Sequence, residues 1–293
     1  MGNGTLFVVA TPIGNLGDIT RRALDVLRAV SAVACEDTRR TGQLLRHFQI
    51  ERRLVSYHDF NERSRSHQLL EMLRDGQDVA LVSDAGTPQI SDPGHHLLAA
   101  CAEAGIPVVP VPGASALAAL LSVSHLPVDR FVFCGFPPAR AGERRRFLQS
   151  FAALPWSLVF YEAPHRIGAS LRDMEAVLGD RPCLFGRELT KIHEEILRLP
   201  LSRLRKELSD RGTVKGEIAL LVSGAAEAPA PLEDPWDRLR AEHERLSGEE
   251  KSGKEILRRL VEVSGLARNQ VYQWLMEQRP GRSGKKRAGG RRG

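Results

Sequence analysis

Five short apolar runs dominate the first third of this 293-residue chain, at residues 6–10 (LFVVA), 32–35 (AVAC), 54–56 (LVS), 79–82 (VALV) and 108–111 (VVPV). Each is short and mostly apolar, so each reads as a short strand, with 6–10 read as buried. Between them, apolar residues recur at helical spacing: Ala23, Leu24, Leu27 and Val30; Leu44, Leu45 and Phe48; Leu69, Leu70 and Leu73; Leu97, Leu98 and Cys101. Alternating buried strands and amphipathic helices predict an α/β domain with a mainly parallel sheet over residues 1–112.

The pattern changes after Pro112-Gly113. Residues 114–123 read as a helix. Residues 131–134, 157–161, 183–185 and 217–222 read as strands, with helices near 144–152, 167–177 and 202–209. A second α/β domain is predicted over 113–224, and the Ala-, Pro- and acid-rich stretch 225–235 (AAEAPAPLEDP) reads as a linker. Residues 236–278 form a small helical module: Ile256, Leu257, Leu260 and Val261 mark one helix, Gly265 breaks it, and Val271, Tyr272, Trp274 and Leu275 mark a second. This spacing fits either a helix-turn-helix or a plain helical hairpin packed on the body.

The net charge of +6 resides in the tail. Without the seven basic residues between Arg279 and Gly293, 35 basic side chains face 36 acidic ones. That Gly/Arg/Lys-rich tail reads as disordered, either a solubilising end or a loose phosphate-binding arm. The four cysteines, Cys35, Cys101, Cys134 and Cys183, form no C-x-x-C pair, which argues for buried thiols in a reducing compartment. No apolar run approaches the ~18 residues of a membrane span, and the first residues lack a basic leader region, so a cytoplasmic protein is expected.

Common motifs fail. No G-x-G-x-x-G follows the first strand. Residues 248–254 (GEEKSGK) approach a phosphate-binding loop, but Glu255 stands where a magnesium-binding hydroxyl belongs, so they read as a helix start. Gly113-Ala-Ser115-Ala lacks the last glycine of a nucleophile elbow, and His95-His96 has no carboxylate at metal spacing. The polar residues collect instead just after the predicted strands, at 11–15, 36–39, 57–61, 83–94 and 113–115. In an open parallel sheet these ends share one edge, where ligands bind at a switch in strand order. Residues 83–94 (SDAGTPQISDPG) hold two glycines, two prolines and two aspartates. Such a loop suits contact through its main chain, and its aspartates argue against a phosphate and tolerate a cationic ligand.

With these loops in view the chain resembles the tetrapyrrole methylase family, and within it the branch that acts on small-subunit ribosomal RNA. The resemblance rests on residues 10–20 (ATPIGNLGDIT), 34–39 (ACEDTR), 56–59 (SYHD) with Asn61-Glu62, 81–88 (LVSDAGTP) with 91–94 (SDPG), 111–116 (VPGASA), 129–131 (DRF), 160–166 (FYEAPHR), 187–191 (RELTK) and 215–218 (KGEI). It implies the two-domain class III methyltransferase fold with a C-terminal helical module, and S-adenosylmethionine as methyl donor, bound between the two α/β domains. By the same resemblance the cofactor would contact Pro12, Asp84, Ala85, Gly86, Thr87, Ile90, Ser115, Ala116, Tyr161, Glu162, Ile218 and Ala219. The acceptor would be the 2'-hydroxyl of a cytidine in 16S ribosomal RNA, at position 1402, on the small ribosomal subunit, and the enzyme a homodimer. Tetrapyrrole-modifying members carry G-x-G-P-G-D in the first loop, where this chain has Thr11-Pro12-Ile13-Gly14-Asn15. That departure favours the RNA branch over a corrin or porphyrin C-methyltransferase. A non-catalytic RNA-binding protein is the other alternative, and the 83–94 loop disfavours it.

A neutral hydroxyl is a poor nucleophile, so a base or an alkoxide-stabilising cation should assist. Glu36 or Asp37 are candidates to accept the proton and Lys191 to stabilise the oxygen, with His58 and Glu62 on the same edge. The residues around Asp37 equally suit a helix cap. RNA contacts are expected from Arg39, Arg40, Arg144, Arg145, Arg146 and Arg166, although Arg144–Arg146 also suit a solvated helix face.

Overall fold

A computed structural model describes residues 2–225, 234–246 and 252–278. The chain divides into two compact units, Met1–Ala226 and Glu227–Gly293. The first holds two five-stranded sheets.

The first sheet contains β1 (Leu6–Val9), β2 (Ala32–Cys35), β3 (Arg53–Ser56), β4 (Val79–Val82) and β5 (Val108–Val111), in the order β3-β2-β4-β1-β5 and parallel throughout. Strands β2 and β4 are buried at every residue, as expected for inner strands covered on both faces. Pro110 sits in β5, an edge strand, where its missing N–H breaks no ladder. Helices α1 (Arg21–Ala29), α2 (Thr38–His47), α3 (Glu62–Arg74) and α4 (His95–Glu103) make the crossovers. Leu6, Leu69, Leu73, Leu81 and Leu97 fill the core on one side of the sheet, and Val9, Leu27, Val33, Leu45 and Val82 on the other.

The strand order fixes the site. The chain leaves β1 toward β2, and leaves β4 toward β5 on the opposite side, so the loops after the neighbouring strands β1 and β4 diverge at one switch point.

After α5 (Ala116–Ser122) the second sheet contains β6 (Phe131–Gly135), β7 (Ser157–Glu162), β8 (Pro182–Arg187), β9 (Glu195–Pro200) and β10 (Ile218–Val222), in the order β6-β7-β10-β8-β9. Only β6–β7 pair in parallel; the other three pairings are antiparallel. Helices α6 (Ala141–Gln149), α7 (Ile167–Leu178) and α8 (Leu201–Asp210) cover one face around Phe160, Phe185 and Leu220. Strand β9 carries no clear sequence signal, because it pairs only with β8 and alternates half-buried residues with the exposed Arg198 and Pro200.

The second unit has three helices among its described residues, not the two expected: α9 (Pro235–Leu246), α10 (Gly253–Ser264) and α11 (Arg268–Glu277). Leu239, Leu246, Leu257, Leu260 and Val271 form its core. Ser252 and Glu255 make a reciprocal cap on α10, so the part of the phosphate-loop look-alike that is described is a helix start. Gly265 ends α10 at φ +70°, a conformation that favours glycine. Most of the expected linker and all of the basic tail lie outside the described residues. No described helix is long and apolar enough to cross a membrane.

Candidate active site

The loops at the switch point are tied together by hydrogen bonds. Thr11 and Gly86 exchange backbone bonds in both directions (2.8 and 3.0 Å), clipping the loop after β1 to the loop after β4. The Asp37 N–H donates to Asp84 Oδ1 (2.9 Å), and Thr87 Oγ1 donates to the Ala114 carbonyl (3.2 Å). Gly86 has φ +90°, and a Cβ there would stand 3.3 Å from Ile13 Cγ2. Gln89 and Ser91 hold left-handed backbones (φ +70° and +68°) without being glycine, strain of the kind concentrated at functional loops.

These loops form one wall of a cleft of about 430 Å³. The second sheet forms the other, by register: Ile218 lies opposite Glu162 and Ala219 opposite Tyr161, while on the other side of β10 Ala219 lies opposite Gly186. Of the expected cofactor residues, Asp84, Ala85, Gly86, Thr87, Ile90, Ser115, Ala116, Tyr161, Glu162, Ile218 and Ala219 all line this cleft. Pro12 does not; it is buried, and its neighbour Ile13 takes the place at the wall.

The candidate catalytic residues separate. Glu36 lines the cleft and is exposed. Asp37 does not line it: its Oδ1 caps α2 by accepting from the Arg39 N–H (2.8 Å), and the Arg39 side chain and N–H hold its carboxyl below the ordinary range. Glu62 is also structural. Its Oε1 accepts from Tyr57 Oη (2.9 Å) and from the Gly94 and His96 N–H groups (2.9 and 3.1 Å), anchoring the start of α4. His58 lies off the lining; its Nε2 is 3.0 Å from Asn61 Nδ2, and its Nδ1 is buried without a hydrogen-bond partner. Lys191 stands behind the wall, its ammonium between Glu188 (2.9 Å) and the cleft-lining Glu217 (3.2 Å), with its stem across Gly14. It thus contacts both Glu217 and the loop after β1.

The arginines separate too. Arg40 lines the cleft, 3.6 Å from Asp84, and Arg39 is exposed beside Asp37. Arg166 is tied to Glu162 (3.1 Å) and the Pro137 carbonyl. Arg144–Arg146 do not form one surface patch. Arg144 turns inward, its side chain 5% exposed, onto Asp173 and the Pro138 and Ala139 carbonyls, because Asp173 on α7 is itself buried and draws the guanidinium in. Arg145 remains at the surface with one contact to Asp173 (2.7 Å), and Arg146 is exposed.

Two lining carboxylates have no ion-pair partner among the described residues: Glu36 and Asp92. Burial, then repulsion from Asp84 and Asp59, raises the Glu36 carboxyl, with His58 and Arg40 opposing. Burial and then the negative Glu36 push Asp92 up to about 6. Asp92 is not among the site residues expected from the sequence although it lies in the 83–94 loop; the signal was the loop's uncancelled charge. Ile13, Phe136, Gly186, Leu189 and Glu217 also line the cleft unforeseen. Tyr161 packs edge-on against Phe133 and Phe136, with ring centres 5.0 and 5.7 Å away.

This donor set fits S-adenosylmethionine. Ile13, Ile90, Leu189, Ile218 and Ala219 give apolar walls for an adenosine, and unpaired carboxylates suit a sulfonium and an ammonium. Among the described residues no group of three or more His, Cys, Asp or Glu side chains is placed to hold a metal ion.

Comparison with known proteins identifies the family and the fold. The family profile described as tetrapyrrole (corrin/porphyrin) methylases matches residues 5–205. A protein of Micromonospora olivasterospora named ribosomal RNA small subunit methyltransferase I is 48% identical over 93% of this chain and 86% of its own length. Proteins of the same name from Synechocystis and Escherichia coli O157:H7 are each 46% identical over 94% of this chain, covering 98% and 96% of theirs. Among solved structures, a uroporphyrin-III-C-methyltransferase from Thermus thermophilus superposes with a TM-score of 0.53 at 21% identity, over 76% of this chain and 94% of that one. The methyltransferase CobJ gives 0.57 at 19% identity, over 77% and 95%. These two share the fold.

Proposed function

The chain belongs to the tetrapyrrole (corrin/porphyrin) methylase family and is an S-adenosylmethionine-dependent methyltransferase, and on that premise we propose that it methylates the 2'-hydroxyl of a cytidine in 16S ribosomal RNA of the small subunit. The observation that supports small-subunit RNA as the substrate is the 46–48% identity, over more than nine-tenths of the chain, to relatives named for that RNA; the cytidine 2'-hydroxyl rests on the resemblance of the motifs. A ribosomal substrate goes with a cytoplasmic location, and the family resemblance with a homodimer, which light scattering on the purified protein tests.

When bound, the cofactor supplies a methyl group already activated on a sulfonium, so the protein's task is alignment and management of one proton. Residues 84–87 with Ser115 and Ala116 would hold it through the loops clipped at Thr11 and Gly86, while Leu189, Ile218 and Ala219 would wall the adenosine. Asp92, the more enclosed of the unpaired carboxylates, would face the positive charge. Glu36, exposed on the cleft lining and so open to a large acceptor, would take the 2'-hydroxyl proton on its carboxylate. Its raised pKa suits a general base better than an ordinary surface carboxylate. Lys191 would act through Glu217 rather than touch the reacting oxygen.

The test is transfer from labelled S-adenosylmethionine to unmethylated small subunits, mapped by alkaline cleavage. One protected cytidine in the RNA is expected; no transfer to subunits or free RNA, with cofactor binding intact, would overturn the reading. Glu36→Gln should slow that transfer about 10²–10⁴-fold at unchanged cofactor affinity.

A further inference from the structure

A second concavity, of about 630 Å³, lies on the first unit beside the cleft. Its walls are the first turn of α7, the end of α8 and the loop 212–216. The two hollows share Pro164, and Gly216 of the second adjoins Glu217 of the first. Their charge balance differs in sign. Five carboxylates (Glu36, Asp84, Asp92, Glu162 and Glu217) and the single arginine Arg40 line the first, whereas His165, Arg172, Arg205 and Lys215 line the second with no acidic side chain.

Arg205 is held by Glu175 (2.7 Å), so its charge is compensated locally. Arg172 and Lys215 are exposed and make no ion pair among the described residues. Lys215 is not on a loose loop. Gly212 and Gly216 fix the turn on either side of it at φ +78° and +92°, conformations that side chains rarely adopt. The Lys215 carbonyl accepts from Arg187 Nη1 (3.3 Å), and Arg187 is itself held by Glu195 (3.0 Å). The backbone is anchored by this bond, while the residue stays exposed on the lining of the hollow.

Resting on the reading that the acceptor is RNA, we propose that this hollow seats the ribose–phosphate backbone of the acceptor strand beside the target nucleotide. Two uncompensated cations in an acid-free hollow, beside the reaction cleft and sharing Pro164 with it, match a chain of phosphates; the carboxylate-rich cleft repels one. The division of charge steers the backbone into the second hollow and leaves the first to the cationic cofactor and one extruded nucleotide.

The test pairs Arg172→Glu with Lys215→Glu, singly and together, and adds Arg172→Gln/Lys215→Gln as a milder double variant. Cofactor affinity is measured by calorimetry, and affinity for unmethylated small subunits across a series of salt concentrations. The charge-reversed double variant should bind subunits at least tenfold more weakly at unchanged cofactor affinity. In the glutamine double variant the slope of log affinity against log salt should flatten by about 0.7–0.9 for each phosphate no longer neutralised. Subunit affinity and salt slope equal to wild type in both double variants, while wild type methylates the same subunits, would overturn the proposal and leave the proposed function standing. Wild type that binds cofactor but neither binds nor methylates subunits would overturn the proposed function itself.

Discussion

Asp173→Ala should destabilise the first unit by about 3 kcal/mol or more. Asp173 and Arg144 have side chains 3% and 5% exposed, and Arg144 Nε lies 2.8 Å from Asp173 Oδ2. Taking away one partner strands the other as a buried charge, at a cost of about 3–5 kcal/mol. The Pro138 and Ala139 carbonyls still accept from Arg144 Nη1 (3.2 and 2.9 Å) and keep the loss near the lower end. Arg145 is also deprived of its carboxylate partner, but its side chain is 58% exposed and adds under about 1 kcal/mol. Against a total of roughly 5–15 kcal/mol, the first unit would lose a fifth or more of its stability. Urea unfolding followed by far-UV circular dichroism measures it. The double variant Arg144→Met/Asp173→Leu, which removes both charges, should recover most of the loss. The two arginines overcome the effect of burial and hold the Asp173 carboxyl below its ordinary value. The stabilisation is therefore complete above the ordinary aspartate pKa of about 3.9 and disappears as pH falls through the lower folded value. An Asp173→Ala protein within about 1 kcal/mol of wild type at pH 7 would refute the reasoning, most plainly if it had also lost RNA affinity.

Gly86→Val forces a β-branched side chain to φ +90° against Ile13, with strain of about 1–3 kcal/mol; calorimetry should show cofactor affinity at least tenfold weaker, and unchanged affinity would put the cofactor elsewhere. Cofactor affinity should rise between pH 5 and 7 as Asp92, near 6, ionises to face a cation, and Asp92→Asn should flatten that profile. In the free protein the raised Asp92 pKa costs stability once the carboxylate ionises, so Asp92→Asn should melt higher than wild type at pH 7 and lose that advantage toward pH 4. Glu62→Ala should cost about 1–2 kcal/mol through the lost anchor of α4 yet leave kcat of the folded enzyme near wild type; a collapsed kcat at unchanged stability would restore Glu62 as an acid or base.

The fold is legible in the sequence where burial is two-sided. Strands β2 and β4 are continuous apolar runs because helices cover both faces, and the loops after them stand out as polar interruptions. The cleft follows from those loops, since parallel strands bring all their ends to one edge. Strand β9 is illegible because one-sided pairing leaves Arg198 exposed within it. The direction of Arg144 is illegible for another reason. Of three successive arginines on a helix, only Arg144 is buried, and which one turns inward depends on Asp173, distant in sequence and near only after folding. Asp92 shows the same limit: its pKa is raised first by burial and then by Glu36, which arrives from another strand end, with Asp84 and Asp59 adding to it.

The reciprocal bonds between Thr11 and Gly86 have a consequence for the dynamics of binding. Loop residues beside a ligand site ordinarily open often, and their amide protons exchange with solvent within moments. Here two such amides sit in a closed pair, so their deuterium uptake should be as slow as that of the strands they extend, with or without ligand. Each residue already confined to one backbone basin removes about 1–2 kcal/mol from the entropy lost when a ligand docks. The seam between the first and fourth strand ends is thus set when the chain folds, and the arriving molecule meets a surface that does not have to be assembled around it.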